Sequence, residues 1–161
     1  MRIQPSSHYL RRSIFANGRH ATAVIKDHDQ NHIQRVRREL EGFGLGRYAM
    51  RSPESHYLPY VIRVNEHLGG VTYGWHEGNL VMMVATDQRI IFLDKKPLFI
   101  SQDDITYDVV SGVSFAHAGI GSTVTLHTRI RDYKIRSFSL RSAEGFVRYI
   151  ELHCMTPSVV V

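Results

Sequence analysis

Ten histidines, fifteen carboxylates and one cysteine are the side chains with which this 161-residue chain could do chemistry. His28 and His32 stand four apart on a predicted helix, where both imidazoles could meet one metal ion beside Asp29. The His-Glu-x-x-His pattern of a metalloenzyme helix is missing, and the other histidines are scattered, so two surface histidines and no metal site are expected. Asp103, Asp104 and Asp108 gather carboxylates around Tyr107. Neighbours on an extended backbone point to opposite faces, so Asp103 and Asp104 cannot converge on one substrate atom; a solvated turn is the expectation. Ser and His abound without a Gly-x-Ser-x-Gly elbow. Cys154 falls on an apolar helical stripe and reads as a small core residue. Alone, it excludes an intramolecular disulfide and a Cys-based zinc site, and it points to a reducing, cytoplasmic setting. The glycines of Gly42 to Gly46 and Gly119 to Gly121 are not followed by Lys-Ser/Thr, so neither run is a phosphate-binding loop. No enzyme, no catalytic residue and no cofactor is expected.

Recognition is the chemistry that remains. Trp75 lies in a predicted loop, Gly74 to Gly78, with His76 alongside and Tyr73 just before it. An exposed loop Trp is a recognition anchor; the same side chain folded back would plug the mouth of a barrel. The charge is uneven. Residues 1–65 hold 11 Lys/Arg, ten of them Arg, and 5 Asp/Glu, whereas residues 66–161 hold 9 and 10. Arg35, Arg37 and Arg38 face away from the apolar stripe of their helix, which is the usual look of a solvated face and also a source of phosphate contacts. Acidic lipid headgroups or nucleic acid are the partners such a segment would take, although its arginines are dispersed and carry no nucleic-acid fold signature. Arg129, Arg131, Lys134 and Arg136, opposed by Asp132, read as a solvated outer face.

The elements that position these residues centre on residues 80–94. Leu80 to Thr86 and Arg89 to Asp94 are two short apolar runs around Asp87-Gln88, which reads as a tight antiparallel hairpin. The first run lacks alternation, as in a strand buried on both faces. It contains the longest apolar stretch, Leu80 to Ala85, far short of a membrane span. Ahead of it, residues 1–26 form a basic tail without an acid, and a helix is predicted over 27–41 on Ile33, Val36, Leu40 and Phe43. Ser52-Pro53-Glu54 starts a second, short helix that Pro59 should stop. Strands follow: Leu68 to Tyr73 with a bulge or bend at Gly69-Gly70, the hairpin, then Ile105 to Val110, Val113 to His117, Thr123 to Thr128 and Tyr133 to Phe138. Ser142 caps a final helix whose stripe is Ala143, Phe146, Val147, Ile150 and Cys154. Strands and one helix in so few residues imply a strongly bent sheet or small barrel with the helix over an open end. Four segments result: 1–26, 27–65, 66–154 and 155–161, of which 66–154 is expected to fold independently.

Several stretches resemble the pleckstrin-homology (PH) fold, and in particular the bacterial PH domains of the YokE-like type. They are Glu66-His67-Leu68, then Val84-Ala85-Thr86-Asp87-Gln88-Arg89-Ile90-Ile91-Phe92, then Lys96-Pro97-Leu98-Phe99 with Ile105-Thr106-Tyr107, then Gly119-Ile120-Gly121-Ser122 and the closing helix. The resemblance covers residues 55–154. It implies an α+β, mainly β fold: a bent barrel of about seven antiparallel strands capped by a C-terminal helix, behind a short helical N-terminal extension. It also implies a non-enzymatic binding scaffold without common catalytic residues. Lipid-binding PH domains hold inositol phosphates on Lys and Arg between their first two strands; Gly74 to Gly78 has neither and carries Glu77, which argues against that ligand there. The expectation is an interaction module for a protein or peptide, a second copy of the chain included, at Trp75, His76 and Tyr73. Anionic-surface binding through Arg35, Arg37 and Arg38 is the alternative.

Overall fold

The computed structural model describes residues 30–155. Helices α1 (Gln30–Glu41), α2 (Arg47–Met50) and α3 (Pro53–Val61) come first. Strands β1 (Leu68–His76), β2 (Asn79–Thr86), β3 (Ile90–Lys96), β4 (Phe99–Ile105), β5 (Val110–Ala118), β6 (Gly121–Thr128) and β7 (Asp132–Ser137) follow, and α4 (Leu140–Met155) is the last described element. All neighbouring strands are antiparallel, in the order β4-β3-β2-β1-β7-β6-β5, so the sheet stays open between β4 and β5. This is the bent, helix-capped architecture expected from the sequence.

The unalternating run in β2 is explained by two cores. Val81, Met83 and Ala85 face the barrel interior with Ile90, Phe92, Leu126, Ile135 and the α4 side chains Phe146 and Ile150. Met82 and Val84 face the other way and meet Val36, Leu40, Leu58 and Ile62 of the N-terminal helices. Side chains alternate across a strand, so a strand with apolar residues on both faces needs a cover on each. The compositional boundary at residue 65 is therefore no boundary in packing, and the extension shares a core with β1, β2 and β3.

Glycines set the bend. An added Cβ at Gly74 would lie 1.9 Å from the Arg136 carbonyl oxygen, and one at Gly69 would lie 2.0 Å from the Tyr149 ring. The first lets β7 cross β1 at Gly74↔Ser137 and Trp75↔Arg136; the second, beside a register shift between Leu68 and Gly70, lets α4 lie against the start of β1. Ala143, Phe146, Val147 and Ile150 are buried, as their spacing requires.

Four local expectations are corrected. The loop drawn over Gly74 to Gly78 is mostly strand: β1 runs to His76, and only Glu77 (φ 47°) and Gly78 (φ 80°) turn, both left-handed as in a type I′ hairpin. Residues Phe99–Ile105 form β4, with a 3-10 turn at Tyr107–Val109, where the sequence suggested a solvated turn and a later strand. A polar edge strand carries little apolar pattern to betray it. The start of α4 is held by Ser139, whose Oγ accepts the Ser142 N–H at 3.2 Å. Cys154 is exposed, outside the core. Asp27, Asp29 and His28 lie outside the described residues, as do the segments 1–26 and 156–161.

Candidate partner-binding surface

Strand alternation separates the residues that the sequence placed together. Trp75 and Tyr73 point to the outer face of β1, and His76 to the inner one. Tyr73 is 2% exposed and belongs to the outer core, so it is not surface. Burial and the nearby Glu54 push its phenol up to about 12. His76 donates from Nδ1 to the Lys134 carbonyl at 2.8 Å and sits edge-on to Phe92 with centroids 4.9 Å apart. The histidine thus packs on the inner core at Phe92, and the tryptophan does not plug the barrel. Trp75 stands outside, 46% exposed.

There it joins a ridge the sequence did not reveal. Phe138, just past β7, meets Trp75 edge to face at 6.2 Å, Tyr73 at 5.8 Å and Tyr48 of α2 at 6.1 Å. The Phe138 N–H donates to the Tyr73 carbonyl at 3.1 Å, which fixes the ring beside β1. Phe138 is 50% and Tyr48 66% exposed. Edge-to-face packing of large aromatic groups that stay half in solvent leaves a preformed apolar surface. Arg136 flanks the ridge on the β7 side and Arg47 on the α2 side, and neither pairs with an acid among the described residues. The three rings come from residues 48, 75 and 138, so no local pattern could have joined them.

The family-like motif does something else. Arg89, 7% exposed, gives Nε and Nη2 to the two oxygens of Glu66 at 2.9 and 3.1 Å, Nη1 to Asp104 at 2.5 Å, and a further Nη2 bond to the Val61 carbonyl at 2.9 Å. Thr86 donates its hydroxyl to Glu66 at 2.8 Å and accepts the Arg89 N–H at 3.0 Å. Tyr107 donates to the Thr86 carbonyl, and burial raises its phenol above its ordinary range. The clamp ties the end of α3, the β2–β3 turn and β4 together. Its donors and acceptors are spent on each other, so it is structural. Asp103, on the opposite face of β4 from Asp104, accepts from Arg131 at 2.5 Å and from the Tyr133 hydroxyl at 3.2 Å, linking β4 to the start of β7. Arg131 makes this ion pair while staying exposed, on the solvated face where the sequence placed it.

The remaining candidates separate likewise. Arg35 is consumed: it donates to Glu39 at 2.7 Å and to the Glu66 and Val64 carbonyls at 3.1 and 3.2 Å. Arg37 and Arg38 remain exposed on α1. His32 is buried, with Nε2–H donating to the Pro59 carbonyl at 2.9 Å and Nδ1 facing Arg35 at 3.3 Å. Both ring nitrogens are occupied, which leaves no lone pair for a metal. Among the described residues no group of three His, Cys, Asp or Glu could hold an ion, and no helix is long and apolar enough to cross a membrane.

No curated protein matches the chain. A crystal structure of a DUF1696 family protein with a pleckstrin-homology domain from Shewanella loihica PV-4 is similar at 18% identity and a TM-score of 0.33, over 52% of this chain and 77% of that one. The bacterial PH domain family matches residues 62–151, from the end of α3 through most of α4. The chain belongs to the bacterial PH domain family.

Proposed function

We propose that the protein is a non-enzymatic interaction module whose partner is a protein or peptide docking on the Tyr48–Trp75–Phe138 ridge. One observation carries this reading: Phe138 packs against both Tyr48 and Trp75 while all three side chains are 46 to 66% exposed. Covering about 100 Å² on each ring would contribute roughly 2 to 3 kcal/mol at about 25 cal/mol per Å². Trp and Tyr are the residue types on which binding energy concentrates. The unpaired Arg47 and Arg136 favour a partner with acidic residues around an apolar anchor. A second copy of the chain is one such partner, and the open edges of β4 and β5 offer it main-chain groups. The Glu66–Thr86–Arg89 clamp supports the YokE-like subtype, and the lone thiol supports a cytoplasmic setting. An anionic surface is the second reading at α1, reduced there to Arg37 and Arg38.

Trp75 is the sole tryptophan, so its emission reports directly on the ridge. Light scattering and fluorescence across a concentration series, with pull-downs from a bacterial lysate, should show burial of Trp75 or capture of a partner that weakens with salt. Trp75→Ala with Phe138→Ser should abolish it without lowering the melting temperature. A strict monomer whose captured proteins are unchanged in that variant refutes the proposal.

A further inference from the structure

A second site adjoins the ridge without including Trp75 or Phe138: a cleft of about 680 Å³ between α2–α3 and the tip of the β3–β4 hairpin, with Arg47, Tyr48 and Tyr73 shared between the two. Glu54, in the first turn of α3, stands in its wall and is 1% exposed. Its Oε1 accepts the Lys95 N–H at 3.0 Å, whereas Oε2 is buried without a hydrogen-bond partner. A dry, unpaired acceptor is costly and calls for a donor. The charged residues of the remaining lining are all cations, set among Tyr48, Pro53, Tyr73, Leu80 and Pro97. Arg47 and Arg51 are exposed and pair with no acid among the described residues, and Lys95 and Lys96 line the opposite wall. Lys96 reaches Asp94 at 2.9 Å, and the Lys95 ammonium caps the Lys96 carbonyl. Past Pro97 the hairpin tip presents Leu98, 89% exposed, and Phe99, 42% exposed.

We propose that this cleft binds the headgroup of an aminophospholipid at a membrane surface. The primary ammonium donates to Glu54 Oε2, the phosphate lies between Arg47 and Arg51, and Leu98 and Phe99 enter the acyl boundary. A simple anion would leave the Glu54 oxygen unpaired, and a simple cation would face four positive side chains. A group that carries both signs a few bonds apart satisfies both requirements. The nitrogen must bear hydrogens, because a trimethylated one has no N–H to donate. The source is a bilayer, because an apolar hairpin tip beside basic side chains is the combination that holds a protein at a lipid interface. Oε2 is closed to water in the empty cleft, so the headgroup enters by parting the exposed walls.

The test is flotation of the full chain with vesicles of phosphatidylcholine alone, with added phosphatidylethanolamine, or with added phosphatidylglycerol. Binding should favour ethanolamine over choline by about tenfold, the factor one charge-assisted hydrogen bond supplies. Glu54→Gln should erase that preference. Arg47→Gln with Arg51→Gln, both exposed and harmless to folding, should lower binding to every vesicle. Leu98→Ser should weaken vesicle binding and leave soluble glycerophosphoethanolamine binding, followed by NMR, unchanged. Equal flotation with ethanolamine and choline lipids, or a preference surviving Glu54→Gln, overturns the ammonium assignment. Strongest binding to phosphatidylglycerol reduces the site to general attraction and overturns it too. Soluble headgroup bound as tightly as vesicles overturns the membrane source. Trp75→Ala should leave flotation unchanged, because Trp75 lies at the end of the ridge away from the cleft lining.

Discussion

Arg89→Met isolates what the buried clamp contributes. Met approximates the arginine stem, so little packing is lost; the cost is the stranded carboxylate of Glu66, which is fully buried. Breaking a buried pair in this way costs about 3 to 5 kcal/mol, against a total of roughly 5 to 15 for a domain. At about 2 to 4 °C per kcal/mol for a chain this size, the melting midpoint should fall by roughly 6 to 20 °C. The pH dependence gives a sharper sign. Burial alone would raise the Glu66 carboxyl, but hydrogen bonds from Arg89, the Arg63 N–H and the Thr86 hydroxyl outweigh it, with the guanidinium charge, and hold it below its ordinary value. A group depressed in the fold contributes stability above its unfolded value and loses it as pH falls through the folded one. Without Arg89, burial dominates, Glu66 is raised, and the variant loses stability as pH rises through the carboxylate range. The gap between native and variant should therefore widen with pH. Urea unfolding followed by circular dichroism from acid to neutral pH measures it. Glu66→Gln with Arg89→Met, which removes the charge as well, should lose less than Arg89→Met alone. A pH-independent gap, or a loss under about 1 kcal/mol at neutral pH, would refute the reasoning.

Phe146→Ala, at a side chain with no solvent exposure in the barrel interior, should cost about 3 to 5 kcal/mol by chemical denaturation, the lost burial plus the cavity. A truncation that begins at Glu66 uncovers Val71, Tyr73, Met82, Val84, Ile91 and Leu93. Such a surface should make the shortened chain aggregate or bind a hydrophobic dye; a cooperative melt at the full-length temperature would show that the helices are mere decoration.

What the sequence made legible was whatever is local and periodic. The hairpin, the bend at Gly69-Gly70 and the stripe of Phe146, Val147 and Ile150 each follow from a spacing of a few residues. The missing alternation in Leu80 to Ala85 already implied a cover on both faces, but nothing local named Val36, Leu40, Leu58 and Ile62 as that cover. β4 escaped notice because an edge strand with a polar run needs no apolar pattern, only hydrogen bonds to β3. Trp75 was found as a lone tryptophan, yet its neighbours Phe138 and Tyr48 lie 63 residues after and 27 before it. Pairing over such separations is a product of tertiary packing.

The division of labour between motif and site has the same physical origin. Thr86, Arg89 and Glu66, in the stretches that resemble other PH domains most closely, bond to one another inside the fold, with no donor or acceptor left for a ligand. Residues that do face outward with unspent chemistry come from elsewhere. Tyr48, Arg47, Arg51 and Glu54 belong to the helices ahead of the family match, and Phe138 to the turn between β7 and α4. These helices were first required to cover the outer face of β1 to β3, a packing task met by their apolar stripes. The polar and aromatic residues on their other sides were thereby placed beside Trp75 and the β3–β4 hairpin, at no further cost in core. Family membership accordingly accounts for how the barrel holds together, while both surfaces proposed for binding draw on the segment that completes its second core.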